Sequence, residues 1–389
     1  MKPTFKHIIL GSALACCSLL WNSCQQQTAS FDDKLKEIAD AHETVGLAMV
    51  VIKDGEPVYQ NAIGFKDIEQ GTPLSTDDLF RIASISKSFS ATAIMQLVEE
   101  GKIALDDDFG DLVGFPVRNP KFPETPITLE MVLSHRSSIN DKNGYFTLDV
   151  LDPAQNDQWA DSYNDYRPGT DYEYCNLNFN MIGAVLERLT DVRFDNYIKQ
   201  QILTPLGLEA GFCVDSLDQQ RFAKLYQKQD GEFQAQEAAY APRTAEIEQY
   251  EMGVTTPVFS PTGGLKISAN DLAKYMTMHM NYGRFNAQQI ISEESAQRMQ
   301  TALSDPAHYG LALQEKNDLI DGQHMVGHTG SAYGLYSNMF FEPEKKFGFI
   351  VITNGCVPNY DDKEDLILSK EVINLLYQEF VAKDDDLAN

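Results

Sequence analysis

Positive charge is the first thing this chain has little of. Lysine and arginine number 31 against 57 aspartates and glutamates, a formal net charge of −26 at pH 7. A surface of that sign repels nucleic acid and anionic lipid, so neither is an expected partner. Cysteine is also scarce: beyond residue 24 only Cys175, Cys213 and Cys356 remain, an odd number with no Cys-x-x-Cys pair. That disfavours both a disulfide framework and a structural zinc site. After the N-terminal segment no apolar run approaches the ~18 residues of a membrane span. Gly-x-Ser-x-Gly, His-Glu-x-x-His and Gly-x-Gly-x-x-Gly are all missing. Their absence disfavours an α/β-hydrolase, a zinc metalloprotease and a dinucleotide enzyme of the usual kinds. No cofactor is expected.

What is present begins with a leader. Lys2 and Lys6 precede an apolar run from Ile8 to Leu20, followed by small and polar residues. This is the pattern of a secretory signal over residues 1–23. Cys24, ahead of three glutamines, is the expected lipid-attachment cysteine, with Cys16 and Cys17 as rivals and plain cleavage as the alternative. The expectation is an exported protein, periplasmic or held to the cell envelope by that lipid alone.

The body, 24–389, reads as one domain in two lobes. Ser30 is a good N-cap for an amphipathic helix over 31–43. Two β-rich runs then flank Asp54-Gly55, a strong hairpin signal. From 106 to 261 the texture is helical segments in Pro- and Asp-rich loops, with clear helices over 177–190 and around 195–208. After Gly263-Gly264 come a helix near 268–280, strands over 309–314, 324–329, 335–341 and 347–353, and a last helix about 363–382. This order predicts an α+β fold: an antiparallel β-sheet flanked by helices, from 31–105 plus 262–385, with an inserted mostly helical lobe over 106–261. The long loop 140–172 and the segment 230–260 are the expected walls of a pocket.

The chemistry centres on 84-SISK-87, the one Ser-x-x-Lys in the chain. Residues three apart share a helix face, and the pair stands where a helix begins, a place that favours a developing anion. A buried lysine there is costly unless it works as a neutral amine. The plainer reading is an N-capping serine with a snorkelling lysine. A serine nucleophile needs a base and often a second hydroxyl as relay. Tyr-x-Asn occurs at Tyr59, Tyr174 and Tyr336; the first and last fall inside predicted strands, whereas Tyr174 sits just before the 177–190 helix. The third element is 327-GHTGSAYG-334, where Gly330 permits a close approach and the strand edge after it can offer an N–H to an oxyanion. His324 and His328 lie four apart, but nothing nearby completes a metal site.

These three motifs in this order resemble the serine hydrolases of the class C β-lactamase group, which includes penicillin-binding carboxypeptidases, D-amino-acid peptidases and esterases. Ser84-Ile85-Ser86-Lys87, Tyr174-Cys175-Asn176 and His328-Thr329-Gly330 carry the likeness, over about residues 31–380. The resemblance implies that Ser84 is acylated and that Lys87 and Tyr174 share the acid and base work; which of them deprotonates Ser84 stays open. It implies that Asn176, His328, Thr329 and Gly330 bind substrate, and that the N–H groups of Ser84 and Ser331 form the oxyanion hole. The expected substrate is a small peptide, D-amino-acid derivative or ester. The alternatives are a β-lactamase or D-Ala-D-Ala carboxypeptidase, and a non-catalytic binding protein on the same scaffold. Oligomeric state is left open.

Two positions depart from the family. At 135-HRSSIN-140, Ser138 stands where a glycine is usual. His328 stands where β-lactamases carry lysine, and a histidine of ordinary pKa ~6.5 is mostly neutral at pH 7. This tilts the expectation toward a peptidase or esterase, with help for carboxylate substrates as pH falls toward about 6.

Overall fold

The computed structural model describes residues 30–385 apart from Pro306. The leader and Cys24 lie outside the described residues. Seven strands form one antiparallel sheet: β1 (Gly46–Lys53), β2 (Glu56–Asp67), β3 (Thr72–Pro73), β4 (Gln314–Lys316), β5 (Met325–Ala332), β6 (Leu335–Glu342) and β7 (Phe347–Gly355). Their spatial order is β4-β5-β6-β7-β1-β2-β3, so the N-terminal hairpin completes a sheet begun by the C-terminal strands. Asp54 and Gly55, both at positive φ (53° and 84°), make the two-residue turn between β1 and β2. That is the conformation whose twist matches paired strands.

Alternation along the strands assigns the two faces. Leu47, Met49 and Val51 of β1 pack with Phe349 and Val351 against helices α1 (Phe31–Ala41) and α5 (Ile367–Phe380). Ala48, Val50 and Ile52 face the opposite way, toward α2 (Ser86–Glu99) and α4 (Ala269–Met280). Ser30 caps α1 through the amide of Asp33, and the Asp33 carboxylate accepts in return from the Ser30 N–H. Between the end of α2 and Pro261 the described chain is short helical turns, loops and one small hairpin (Tyr226–Gln229 with Glu232–Ala235) around one long helix, α3 (Asn176–Thr190).

α2 is covered on nearly every side from Ser86 to Leu97. A helix buried all round cannot show a polar face, and its hydroxyls find partners instead. Ser86 and Ser88 donate to the carbonyls of Ala83 and Ile85, and Ser90 donates to Pro261 O.

Two elements differ from the sequence reading. The run 309–314 is not a strand: Ala312 has φ 60°, and the amides of Leu311 and Ala312 donate to Met299 O and Leu133 O. The backbone is spent on neighbouring elements, and pairing begins only at Gln314. The helix read around 195–208 is α-helical over Phe194–Ile198 and then widens into a π turn over Lys199–Leu203.

Candidate active site

Ser84 lies in a single 3-10 turn, Ala83–Ile85, that runs directly into α2. Ala83 holds φ 50°, a sharp corner that lifts the serine out of an otherwise buried run. The corner rests on β5. A methyl group added at Gly330 would come within 2.2 Å of Ile82 O and 3.2 Å of the Ser84 amide nitrogen. Glycine at 330 is therefore what lets the Ser84 turn sit on the strand.

Lys87 is fully buried. Its Nζ is 3.1 Å from Ser84 Oγ, 2.9 Å from Asn176 Oδ1 and 3.0 Å from the Thr262 carbonyl. Two of these partners can only accept, while the serine hydroxyl can accept or donate. A neutral amine satisfies the set with two N–H donors and one lone pair turned to Ser84. Burial pulls the Lys87 pKa down to about 7, opposed by the negative charge of Asp141.

Asn176 opens α3, and Asp141 holds it there. The Asp141 carboxylate accepts from the Asn176 backbone N–H at 2.8 Å, from its Nδ2 at 3.0 Å and from the Leu177 N–H at 3.0 Å. It thus caps a helix whose own N-cap residue, Cys175, makes no side-chain cap. With Nδ2 engaged, the amide oxygen must turn to Lys87, and Thr262 Oγ1 donates to it as well at 2.9 Å.

The Tyr174 ring lies 4.7 Å from Lys87 Nζ. Its hydroxyl is covered and makes no full hydrogen bond. Burial pushes the phenol well above its ordinary pKa, with the neighbouring Ser84 hydroxyl pulling the other way. The other two Tyr-x-Asn triplets are structural. Tyr59 stacks on Phe380 and accepts from Asn61, while Ser337 and Asn338 bond Ile82 O and Ser369.

His328 is buried, and this corrects the sequence reading of its charge. Its Nδ1–H donates to the Thr329 carbonyl, and Nε2 accepts from the Tyr309 hydroxyl at 2.8 Å. Both nitrogens are satisfied in the neutral tautomer. Burial, with the Lys87 charge adding to it, lowers the pKa to about 3. No cation forms there near pH 6. His324 is exposed and bonded to Asn317, so the two histidines do not meet.

Thr329 and Ser331 are exposed on the outer edge of β5, which β4 pairs only as far as Gly327. They and Ser84, Tyr174, Asn176 and His328 line a cleft of about 620 Å³. Tyr145, Phe146 and Tyr172 contribute from the 140–172 loop and its end, and Ser260 from the end of the 230–260 segment. Ser138 takes φ 64°, a glycine-like conformation, and its Oγ accepts from Asn119.

A family profile described as Beta-lactamase matches residues 31–373. The chain belongs to the beta-lactamase family. By that membership it is a serine hydrolase, with the β-lactamase and penicillin-binding fold. It is 27% identical over 356 residues to penicillin-binding protein 4 of Amycolatopsis lactamdurans, covering 85% of this chain and 86% of that one. Protein flp of Staphylococcus aureus (strain MRSA252) is 22% identical over 86% of this chain, which spans only 64% of flp. Among solved structures, the octameric penicillin-binding protein homologue from Pyrococcus abyssi superposes with TM-score 0.68 at 27% identity, over 84% of this chain and 73% of that one. The D-amino acid amidase from Ochrobactrum anthropi SV3 shares the fold at TM-score 0.68 and 19% identity, over 92% and 100%.

Three residues around the site were not found from the sequence: Asp141, which holds Asn176, and Thr262 and Arg81, which line the cleft.

Proposed function

We propose that this protein is an exported serine hydrolase that works through an acyl-enzyme on Ser84, acting on small peptides, D-amino-acid derivatives or esters. The observation that carries the reading is Lys87: fully buried, near pKa 7, with acceptors on two sides and the Ser84 hydroxyl on the third. As the neutral amine it takes the Ser84 proton while Oγ attacks the scissile carbonyl. The Ser84 and Ser331 N–H groups receive the developing oxyanion. Tyr174, held as a phenol by burial, is the donor to the leaving group rather than the first base, and the proton taken up by Lys87 then replaces the one it gives, which leaves the amine neutral again. Water then attacks the ester on Ser84, and the proton returns by the same groups. Asn176 keeps Lys87 aimed.

A neutral His328 supplies no charge to a substrate carboxylate, which favours peptide or ester substrates over β-lactams. The likeness to a protein named as a penicillin-binding protein, at 27% identity, supports substrates related to D-amino-acid peptides. Export and attachment through Cys24 rest on the leader sequence.

Labelling with a fluorophosphonate, followed by turnover of p-nitrophenyl esters, D-aminoacyl amides, D-Ala-D-Ala peptides and nitrocefin, tests the reading. Wild type should label and Ser84→Ala should not. Equal labelling of both would move the nucleophile elsewhere. Efficient nitrocefin turnover at pH 8 would replace the preferred substrate class with β-lactams.

A further inference from the structure

Arg81 is the one charged side chain among the described residues lining the Ser84 cleft. It is only 8% exposed, yet among the described residues it forms no ion pair. Its Nε donates to Gly263 O at 3.1 Å and its Nη1 reaches Ala239 O at 3.4 Å, both neutral carbonyls. The guanidinium lies 5.0 Å over the Tyr333 ring. The ionisable groups that act on it most are Tyr333, Arg243, Tyr240 and Tyr145, none of them a carboxylate. Among the described residues Nη2 has no hydrogen-bond partner; it is not sealed from solvent, and Arg81 lines both the cleft and the chamber beside it. A guanidinium stays charged in proteins, and one held from solvent without a counter-ion is costly. In a chain with 57 acidic residues, leaving it unpaired marks the place where an outside anion fits.

Position along β5 sets where that anion would lie. Ser84 sits beside Gly330, with His328 and Thr329 toward one end of the strand edge and Ala332 and Tyr333 toward the other. Arg81 stands at the Tyr333 end. There the cleft continues into a second chamber of about 460 Å³ that shares Arg81, Phe146, Ser260 and Tyr333 with it. Arg243 in that chamber is already paired with Glu246 at 3.0 Å, and Asp149 also lines it, so the unpaired cation is Arg81 alone.

We propose that Arg81 is a specificity-determining residue that binds a carboxylate on the part of the substrate occupying the arm of the cleft remote from His328. This deepens the hydrolase reading above and rests on it: the substrate class becomes a peptide or ester with an acidic substituent on that side of the scissile bond. A planar fork facing a carboxylate can make two parallel N–H···O bonds, or one bond from Nη2 with the ring of Tyr333 behind it.

The test compares esters with and without a carboxylate. p-Nitrophenyl butyrate is set against p-nitrophenyl hydrogen glutarate, for an anion on the acyl side. Ethyl acetate is set against O-acetyl-lactate, for an anion on the alcohol side. The protein's general negative field disfavours anionic substrates, so a preference for one reports a local cation. Wild type should favour the anionic member of one pair by about ten- to a hundredfold in kcat/KM, chiefly through KM. Arg81→Gln should bring that ratio toward one, and Arg81→Lys should keep part of it. Should Arg81→Gln fail to fold by thermal melt, the wild-type and Arg81→Lys ratios decide. Hydrolysis without charge preference in either pair, or a preference that survives Arg81→Gln, overturns the proposal and leaves the hydrolase reading standing. Failure to hydrolyse any of the four esters overturns the proposal, and the hydrolase reading falls with it only if the fluorophosphonate also fails to label wild type.

Discussion

The carboxylate of Asp141 grips Asn176 at two points, 2.8 Å from its backbone nitrogen and 3.0 Å from Nδ2. One residue thereby caps α3 and orients the amide that holds Lys87. The same negative charge raises the Lys87 pKa against the lowering by burial. Packing, capping and the charge that acts on Lys87 meet in that contact.

Asp141→Asn separates the three roles. Loss of the cap should lower stability by about 1–2 kcal/mol. A freed Asn176 amide should cost about ten- to a hundredfold in kcat. Losing the charge should move the acid limb of kcat/KM for a neutral ester to lower pH, because less then favours the ammonium form of Lys87. A stability loss with an unmoved pH profile would reduce Asp141 to a structural residue.

Lys87 predicts a pH dependence of both rate and stability. Rate on a neutral ester should fall as pH drops through about 7, where the amine gains its proton. For stability, the folded pKa of about 7 lies below the ordinary 10.5 of the unfolded chain. Between these values the unfolded chain binds the extra proton, so stability rises with pH across that window and the contribution is lost as pH falls toward 7. At ~1.4 kcal/mol per pKa unit this amounts to a few kcal/mol. Lys87→Met should lack that slope, which chemical denaturation of both proteins at pH 7 and pH 9.5 would read.

Lys87→Arg should lose about 10²–10⁴-fold in kcat, since arginine cannot act as a base. Steady-state turnover of p-nitrophenyl butyrate is the measurement. Substantial retained kcat would leave Tyr174 to work as the base.

Gly330→Ala should damage the site from the strand side. The new methyl group meets Ile82 O at 2.2 Å and Ser337 Oγ at 2.4 Å, so the Ser84 turn or β5 must move. The expected cost is about 1–3 kcal/mol of stability with at least a hundredfold loss of acylation rate, read by fluorophosphonate labelling kinetics. An unchanged labelling rate would mean that the turn does not rest on β5.

His328 should stay neutral across the working range, its pKa held at about 3. The ratio of activity on carboxylate and neutral esters should therefore be flat from pH 8 to 5.5, and equally flat in His328→Gln. A ratio that climbs toward pH 6 in wild type alone would show that the histidine does charge.

The sequence by itself determined what depends on near neighbours along the chain. Ser84 and Lys87 meet because a helical turn brings i and i+3 together, and Asp54-Gly55 turns a hairpin because both residues tolerate positive φ. The Tyr174-Cys175-Asn176 triplet and the glycine at 330 were legible as motifs. The tertiary structure alone decided the rest. Asp141 reaches Asn176 across 35 residues, and Thr262 reaches Lys87 across 175, with no local signal to mark either. The 309–314 run has strand-like composition, but its amides bond to Met299 and Leu133 and the chain bends. Charge was the hardest to read. The type of a side chain is in the sequence, but its pKa depends on burial and on partners brought from elsewhere in the chain. That is why Lys87 is pulled to about 7, His328 is fixed as neutral, and Arg81 is left, among the described residues, as the one charged side chain lining the cleft.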